Sequence, residues 1–261
     1  SPVDIRASYV DHAPLREVNF AHYDFSGPVN IQNNGHTITV DGFDQWKENQ
    51  PYISIPEQAD SYRLVQFHFH WAQKDHLGSE HTLGGLHYAA EIHFVHNRWD
   101  VTSDEAAETP DGVAVIAVFA LIGDNATAIE AISASVGEIV YPGNSTTIPS
   151  FNAGSLLPSN TGAFYRYKGS FTTPGCQEVV VWTILEEPIV ITQSQLEAFR
   201  RVNSPEGVPF EHNARPPQPL NRRRILYRSS CYDNSSLCDG HQSLSLLLTL
   251  ILMVLICLIC H

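Results

Sequence analysis

Basic residues are scarce in this sequence. Its 261 residues include 15 lysines and arginines but 28 aspartates and glutamates, which gives a formal net charge of −13. A chain with this charge repels a phosphate backbone, so we expect no nucleic-acid partner. Internal repeats and low-complexity tracts are also lacking. The length then allows one large domain with a sizeable core, or two small domains.

Methionine and cysteine are rare as well. The single methionine is Met253, so Ser1 is not a translation start, and we expect either a removed leader or a fragment. Of the five cysteines, Cys176 has no evident partner along the chain. Cys231 and Cys238 lie in a polar stretch and could form a disulfide with each other. Cys257 and Cys260 lie in an apolar run, where they could be simple hydrophobic residues.

One long apolar run is present, Leu244–Cys260, and no basic cluster follows it. Its 17 residues are at the short edge of what spans a bilayer core of roughly 30 Å. The preceding residues, DNSSLCDGHQS, are small and polar, and this combination predicts a glycosylphosphatidylinositol attachment signal. Asn234, Ser235 or Gly240 could be the attachment site, and a plain C-terminal membrane anchor is the alternative. We therefore expect a stem at 229–243 and an anchor signal at 244–261.

Three N-x-[ST] sequons agree with the secretory route that such an anchor requires. Each sequon alone is weak evidence, because the pattern often arises by chance. Together with the apolar run, they predict a location on the extracellular face of the plasma membrane. The three acceptor residues are Asn125, Asn144 and Asn234.

Short apolar runs dominate the chain from Ser1 to about Leu185 and predict strands, because they are rich in valine, isoleucine and aromatics and are bounded by turn-forming residues. The runs are Ile38–Phe43, Tyr62–Trp71, Tyr88–Asn97, Val113–Ile122 and Glu178–Glu187. The last two are almost continuously apolar, which is typical of central strands buried on both faces.

Helical periodicity is limited to residues 126–140 and 192–202, and the second segment begins with good capping residues. Residues 203–220 are rich in proline, and we expect them to cross the surface in an extended form. The sequence therefore predicts a single strand-dominated α+β domain over residues 1–228. Its core would be a large, twisted, mostly antiparallel β-sheet with a few short peripheral helices.

Two histidines in the segment VQFHFHW suggest a metal site. His68 and His70 are two residues apart, so in a strand they share a face while Phe67 and Phe69 point the other way. One histidine in such a run is more typical of a core residue, and two could still be structural. His93, in the next predicted strand, offers a third ligand. Three neutral nitrogens suit Zn²⁺ and leave the fourth position open, as in catalytic sites.

Two further residues support this interpretation. Gln66 and Glu91 precede His68 and His93 by two positions and share their faces. Metal-bound imidazoles usually donate their second N–H to an amide or carboxylate, which fixes the tautomer. No cysteine belongs to the group, which argues against a closed structural site. The rival histidines fit less well. His96 is out of phase with His93, and His81 lies beside Glu80. His76 and His87 flank a glycine-containing loop.

Four segments resemble the alpha-class carbonic anhydrases, in particular the secreted and membrane-anchored type. They are QFHFHW, SEHTLGGLHYAAEIHFVH, GSFTTPGCQEVVVWTILEEPI and NARPPQPLNRR. The resemblance covers nearly all of residues 1–228 in order and spacing. It implies the zinc-dependent hydration of CO₂ to bicarbonate and a proton, with CO₂ and bicarbonate as the small-molecule partners.

The resemblance also implies roles for single residues. Thr172 would accept a hydrogen bond from the attacking hydroxide and donate its own proton to Glu80, and Thr173 would line the polar side. Without the resemblance, the segment TTP is typical of an ordinary turn. Phe171 stands where the family usually has leucine, so we expect slower turnover. The implied CO₂ pocket consists of Val95, Val115, Phe171, Val180 and Trp182.

Proton release is assigned on the same basis. His36 stands where the family carries its proton shuttle, with Asn33 and Asn34 beside it to order water, although a histidine after Asn-Gly is otherwise typical of a turn. Asn213 is implied as an outer support of the metal site. The chain begins later than the family usually does, and Cys176 would pair with a cysteine in that earlier segment.

One departure from the family and two alternative functions stay open. Ala214 replaces an aromatic residue that is usual in the family. The chain could also be a catalytically weak, carbonic anhydrase-related binding module, although such relatives have usually lost a zinc histidine. It could instead be a zinc esterase that uses the same site.

Overall fold

A large mixed β-sheet organises the chain. The computed structural model describes residues 1–58, 60–124 and 126–230. The strands are β1 (Asp4–Ile5), β2 (Val10–His12), β3 (Asn19–Ala21), β4 (Ser26–Asn33), β5 (Ile38–Asp41), β6 (Tyr52–Ser54), β7 (Ser61–Trp71), β8 (Thr82–Leu83), β9 (Ala90–Arg98), β10 (Val113–Ile122), β11 (Ser145–Asn152), β12 (Phe164–Gly169), β13 (Val180–Leu185), β14 (Ile189–Ile191) and β15 (Ile225–Arg228).

Thirteen of these strands form one sheet in the order β11-β4-β5-β7-β9-β10-β13-β12-β15-β2. Strand β6 pairs with β7 and β3, and β14 pairs with β10. Most neighbours are antiparallel, whereas β13 and β14 run parallel to β10, and β2 runs parallel to β15. The remaining two strands, β1 and β8, form a small parallel pair of their own. The predicted strand-dominated α+β fold is therefore confirmed.

The helices are short and few in the described part of the chain. The α-helices are α1 (Ser103–Ala106), α2 (Glu130–Ser135) and α3 (Gln193–Phe199), and the 3₁₀ helices are Ala7–Tyr9, Phe43–Asn49, Asp75–Leu77, Val136–Glu138 and Ala153–Leu156. Helix α3 begins with the expected cap. Thr192 Oγ1 accepts the backbone N–H of Gln195, whose side chain in turn accepts the N–H of Thr192.

The two faces of the sheet bury different apolar cores. One core contains the residues that the central strands direct to one face of the sheet, such as Ile116 and Val118 of β10, together with Leu196 and Phe199 of α3. The other core is smaller and contains the alternate residues of β10, such as Val115. Strand β10 is buried on both sides over most of its length, as its continuous apolarity predicts. The smaller core and the predicted histidines share a face.

The predicted elements are found with changed ends. The first predicted strand stops at Asp41, because Gly42 has a φ of 94° and turns the chain into a 3₁₀ helix. The predicted helix at 126–140 is only α2 and the 3₁₀ turn after it. The proline-rich residues 203–220 form no helix. The expected extended path is wrong for residues 203–209, which form a tight turn closed by a bridge between Asn203 and Pro209, while residues 210–220 have no regular secondary structure.

Residues 1–228 form one compact unit. No helix among the described residues is long and apolar enough to span a bilayer. The predicted anchor signal, the attachment residues and two sequons lie outside the described residues. The third sequon is described, and its Asn144 is exposed just before β11.

Candidate metal centre

Four adjacent strands, β7, β9, β10 and β13, bring the predicted ligands and pocket residues onto one face. His68 of β7 pairs with His93 of β9. His70 lies two residues further along β7, so it shares that face, and it pairs with Glu91. A slip of one residue in this register would send the rings of one strand to the opposite face. The pairing of β7 with β9 therefore assembles the site.

The three imidazoles form a tight cluster. The ring centroids of His68 and His70 are 5.0 Å apart, and those of His68 and His93 are 5.4 Å apart. The rings of His70 and His93 are closest, at 4.5 Å. One nitrogen from each ring lies within 4.8 Å of the other two. His70 and His93 are buried while His68 is partly exposed, so the cluster opens towards solvent on the side of His68.

Each ring places its other nitrogen against an acceptor of the protein. The pairs are His68 Nδ1 with Gln66 Oε1 at 2.9 Å, His70 Nδ1 with the Asn213 carbonyl at 3.1 Å, and His93 Nε2 with Glu91 Oε1 at 2.7 Å. An acceptor requires that the facing nitrogen carry the proton. The free lone pairs are therefore on Nε2 of His68, Nε2 of His70 and Nδ1 of His93.

These lone pairs fit a Zn²⁺ ion. His70 Nε2 is buried and has no hydrogen-bond partner among the described residues, which is costly for a polar atom unless something binds it. The ring of His68 is deeply embedded although one side reaches solvent, and burial, with His70 and His93, lowers its pKa well below the ordinary value. Burial also lowers the pKa of His70. Neutral imidazoles are what a metal requires, and three of them with an open fourth position are typical of catalytic zinc sites.

Glu91 supports the cluster from behind. Its Oε1 accepts from His93 and from His81 Nδ1, the latter at 2.6 Å, and its Oε2 accepts the backbone N–H groups of Glu80 and His81. Burial alone would raise the pKa of Glu91, but His81 and His93 outweigh burial and hold it well below its ordinary value. The His81–Glu91–His93 group is therefore a hydrogen-bonded support. His81 completes it by placing Nε2 2.8 Å from Tyr167 Oη.

Glu80 lies beside the clustered rings and is buried. Its Oε1 accepts the backbone N–H of Arg215 at 2.8 Å and is 3.4 Å from His70 Nδ1. Its Oε2 is 3.8 Å from His93 Nδ1 and has no hydrogen-bond partner within the described ranges. The expected hydrogen bond from Thr172 to Glu80 is thus not formed in this structure, and Oε2 is left with its accepting capacity unused.

Thr172 and Thr173 lie on a tight turn that leads into β13. The turn is closed by bonds from the Phe171 N–H to the Gln177 carbonyl and from the Cys176 N–H to the Thr173 carbonyl, both at 3.1 Å. Thr172 is half-buried and Thr173 is exposed. Within the described part of the chain, Cys176 is a free thiol, so the expected disulfide is not seen.

The apolar residues predicted to hold CO₂ adjoin the histidines on the same face. Val95 pairs with Val115, and Val115 pairs with Trp182, which forms a row across three strands. The Trp182 ring is centred 4.8 Å from the His93 ring. Val180 lies two residues before Trp182 and belongs to the same buried cluster, against which Phe171 packs. The structure therefore gives the site one apolar wall.

His36 is exposed on the loop between β4 and β5. Asn34 Oδ1 accepts the backbone N–H groups of His36 and Thr37, both at 2.9 Å, and Asn213 Nδ2 donates to the His36 carbonyl at 3.2 Å. Asn33 is buried, and its side chain bonds to three backbone groups. The expectation that Asn33 orders water is corrected, because its amide is used to shape the loop.

Sequence reasoning missed two supports of the site. One is the backbone N–H of Arg215, which holds Glu80. The other is Tyr167, which holds His81. Neither leaves a signal in the sequence, because the bonded residues are far apart along the chain and one of the groups is a backbone amide.

Comparison with known proteins decides the family. The model of the eukaryotic-type carbonic anhydrases matches residues 1–229. This chain belongs to the carbonic anhydrase family. Its enzyme class is carbonate dehydratase, EC 4.2.1.1, which catalyses the reversible hydration of CO₂.

Named relatives of this carbonic anhydrase agree. A Caenorhabditis elegans protein named "Putative carbonic anhydrase 5" is 43% identical over 251 residues, which cover 95% of this chain and 81% of the relative. Carbonic anhydrase 7 of Homo sapiens is 35% identical over 233 residues, covering 86% of each chain. Carbonic anhydrase 3 of Equus caballus is 37% identical, covering 86% of this chain and 87% of the relative.

Proposed function

We propose that this carbonic anhydrase is a zinc enzyme whose ion is held by His68, His70 and His93. The observation that carries the proposal is the convergence of three ring lone pairs, each fixed by an acceptor on the opposite nitrogen. In carbonic anhydrases, the standard example of the effect, bound zinc lowers the pKa of a water to about 7.

The surrounding residues would orient the reactants. Glu80 Oε2 is a buried acceptor without a partner among the described residues, so it can accept a hydrogen bond that the Thr172 hydroxyl would donate. The lone pairs of Thr172 would then accept from the attacking water and fix its direction. The valines and Trp182 would hold CO₂ and exclude other water, while Thr173 lies on the polar side. The hydrogen bonds of Gln66, Glu91 and Asn213 keep the ligand rings in place.

The metal assignment is tested by measuring zinc content and CO₂ hydration on the same preparation. We expect about one zinc per chain, loss of hydration after treatment with a chelator, and recovery when zinc is returned. His93→Ala should lower both zinc content and hydration, whereas His76→Ala, which changes an exposed loop histidine, should preserve both. Full hydration by a zinc-free preparation, or ester hydrolysis without any CO₂ hydration, would contradict the proposal.

Proton release is assigned to His36. Its exposed position suits a group that exchanges protons with buffer, and histidine is the side chain that most often serves as a general acid or base. We expect His36→Ala to lower kcat about tenfold or more, with partial recovery when imidazole is added. In the control variant His76→Ala, kcat should be unchanged and imidazole should have no effect. Unchanged turnover in His36→Ala would remove His36 from the mechanism.

We also propose that the enzyme acts on the extracellular face of the plasma membrane through a glycolipid anchor. Support comes from the apolar run Leu244–Cys260, the polar residues before it, and the exposed sequon residue Asn144. Treatment of intact cells with a phospholipase that cuts the glycolipid should release hydration activity into the medium. Retention on the cells would favour the plain membrane anchor.

A further inference from the structure

A cavity distinct from the histidine cluster lies between the loop after β7 and the segment at 212–217. Its volume is about 360 Å³, at the small end of the range for ligand pockets. None of the three clustered histidines lines it. The cavity nevertheless adjoins the site, because Ser79 precedes Glu80 and the backbone N–H of Arg215 holds Glu80 at 2.8 Å.

The charged lining of this cavity is entirely basic. Lys74, His87, His212 and Arg215 line it, and no aspartate or glutamate does. The chain as a whole has 28 acidic residues against 15 lysines and arginines and 13 histidines. An acid-free wall with four basic or histidine residues therefore departs from the overall composition, in which the two sets are equal in number. Such a wall creates a positive local potential that attracts anions.

The basic groups are not neutralised by the surrounding protein. Lys74 and His212 are exposed, and neither side chain has an ion pair or hydrogen bond in the described structure. Arg215 Nη1 donates to a backbone carbonyl at 2.6 Å, and no carboxylate lies within ion-pair distance of it in the ranges described. His87 donates Nδ1–H to the Ser79 carbonyl at 2.7 Å, so the formal positive charges of the wall are those of Lys74 and Arg215. The nearby Asp75 is already paired with another arginine.

The rest of the wall is apolar. Ala72, Leu77, Ala214 and two prolines complete the lining. Ala214 is buried at this wall, and its small side chain leaves the space open. A ligand that satisfies both parts of the wall needs a negative head for the basic groups and an apolar body for the remaining surface. We propose that this cavity binds a small organic anion with a carboxylate head and an apolar body.

Benzoate serves as the probe, with acetate as the matched anion that lacks the apolar body. Calorimetry on the zinc-loaded full chain should show that benzoate binds more tightly than acetate. Lys74→Gln, which removes one unpaired charge at the wall, should weaken benzoate binding about tenfold. Ala214→Phe should abolish it by filling the cavity. Lys47→Gln, an exposed lysine in another element, should leave the affinity unchanged.

Two results would overturn the proposal. Equal benzoate affinity in the wild type and Lys74→Gln would place the anion elsewhere, including at the metal centre. Equal affinity for acetate and benzoate would show that the apolar wall contributes nothing. Far-ultraviolet circular dichroism and CO₂ hydration check the fold of Ala214→Phe, and Lys74→Gln tests the proposal independently because its side chain is exposed.

Discussion

At the scale of single residues, Phe171 lies against the apolar side of the site. It is partly buried and packs against the cluster that holds Val115, Val180 and Trp182. A ring at this position should crowd CO₂. We therefore expect Phe171→Leu to hydrate CO₂ about threefold to tenfold faster, a barrier lowered by ~0.6–1.4 kcal/mol. Stopped-flow measurement of kcat and KM checks this.

The matched control is Phe25→Leu, which shortens an exposed phenylalanine on another part of the surface. Its turnover should equal that of the wild type. If Phe171→Leu is no faster than the wild type, steric crowding by Phe171 does not limit the reaction.

Residue positions were predictable where the geometry is local. His68 and His70 share a face because they are two residues apart in a strand, and Gln66 follows from the same alternation. The bond from Arg215 to Glu80 links residues 135 positions apart, and one from Asn33 to Asn203 links residues 170 apart. Such pairs depend on the folded path of the chain, so local spacing cannot reveal them.

At the scale of elements, the loop after β7 depends on a close approach at Gly78. A Cβ at this position would lie only 1.8 Å from the carbonyl oxygen of Ala89, which is backbone and cannot rotate away. We expect Gly78→Ala to displace the loop that leads to Glu80 and to lower the free energy of unfolding by about 1–3 kcal/mol. Equilibrium denaturation measures the loss, and CO₂ hydration should fall with it.

Gly137→Ala is the control, because a Cβ there meets no atom within 4 Å. Its free energy of unfolding should stay within ~0.5 kcal/mol of the wild type. Equal free energies of unfolding for Gly78→Ala and Gly137→Ala would mean that the loop at Gly78 can shift without a loss of stability.

Element types were predictable from apolar patterns, and their ends were less so. Strand β10 is found over the whole predicted run, because a continuous apolar segment rich in valine and isoleucine is typical of a doubly buried strand. Strand β5 ends early because Gly42 takes a positive φ, and the predicted helix at 126–140 loses its first turn. The ends of strands and helices depend on the backbone conformation of single residues, which a periodic pattern of apolar residues does not indicate.

At the scale of the whole molecule, the order of the strands could not be read from periodicity. Strand β13 lies parallel to β10 although the two are separated by β11 and β12 along the chain. Only the resemblance to a family placed the turn before β13 beside the histidines. The large sheet also separates the site from the main core, so a residue can stabilise the fold without touching the site.

His96 is such a residue, and it makes the stability of the whole molecule depend on pH. It is buried on the opposite face from His93, with Nδ1 3.2 Å from the Ala114 carbonyl and Nε2 2.5 Å from Tyr23 Oη. Burial lowers its pKa from 6.5 to about 3. The folded protein therefore holds His96 neutral, whereas the unfolded chain takes up a proton below pH 6.5. The contribution of His96 to the free energy of unfolding is complete above pH 6.5 and is lost as the pH falls towards 3.

We expect the free-energy difference between the wild type and His96→Gln to shrink by about 2.3 kcal/mol between pH 6.5 and 4.5. Urea denaturation of both proteins across this range measures the difference, in which the other titrating groups cancel. His76→Gln, at an exposed histidine, should follow the wild type at every pH. A difference between the wild type and His96→Gln that stays constant with pH would mean that His96 is protonated in the fold, and then Tyr23 could not donate to it.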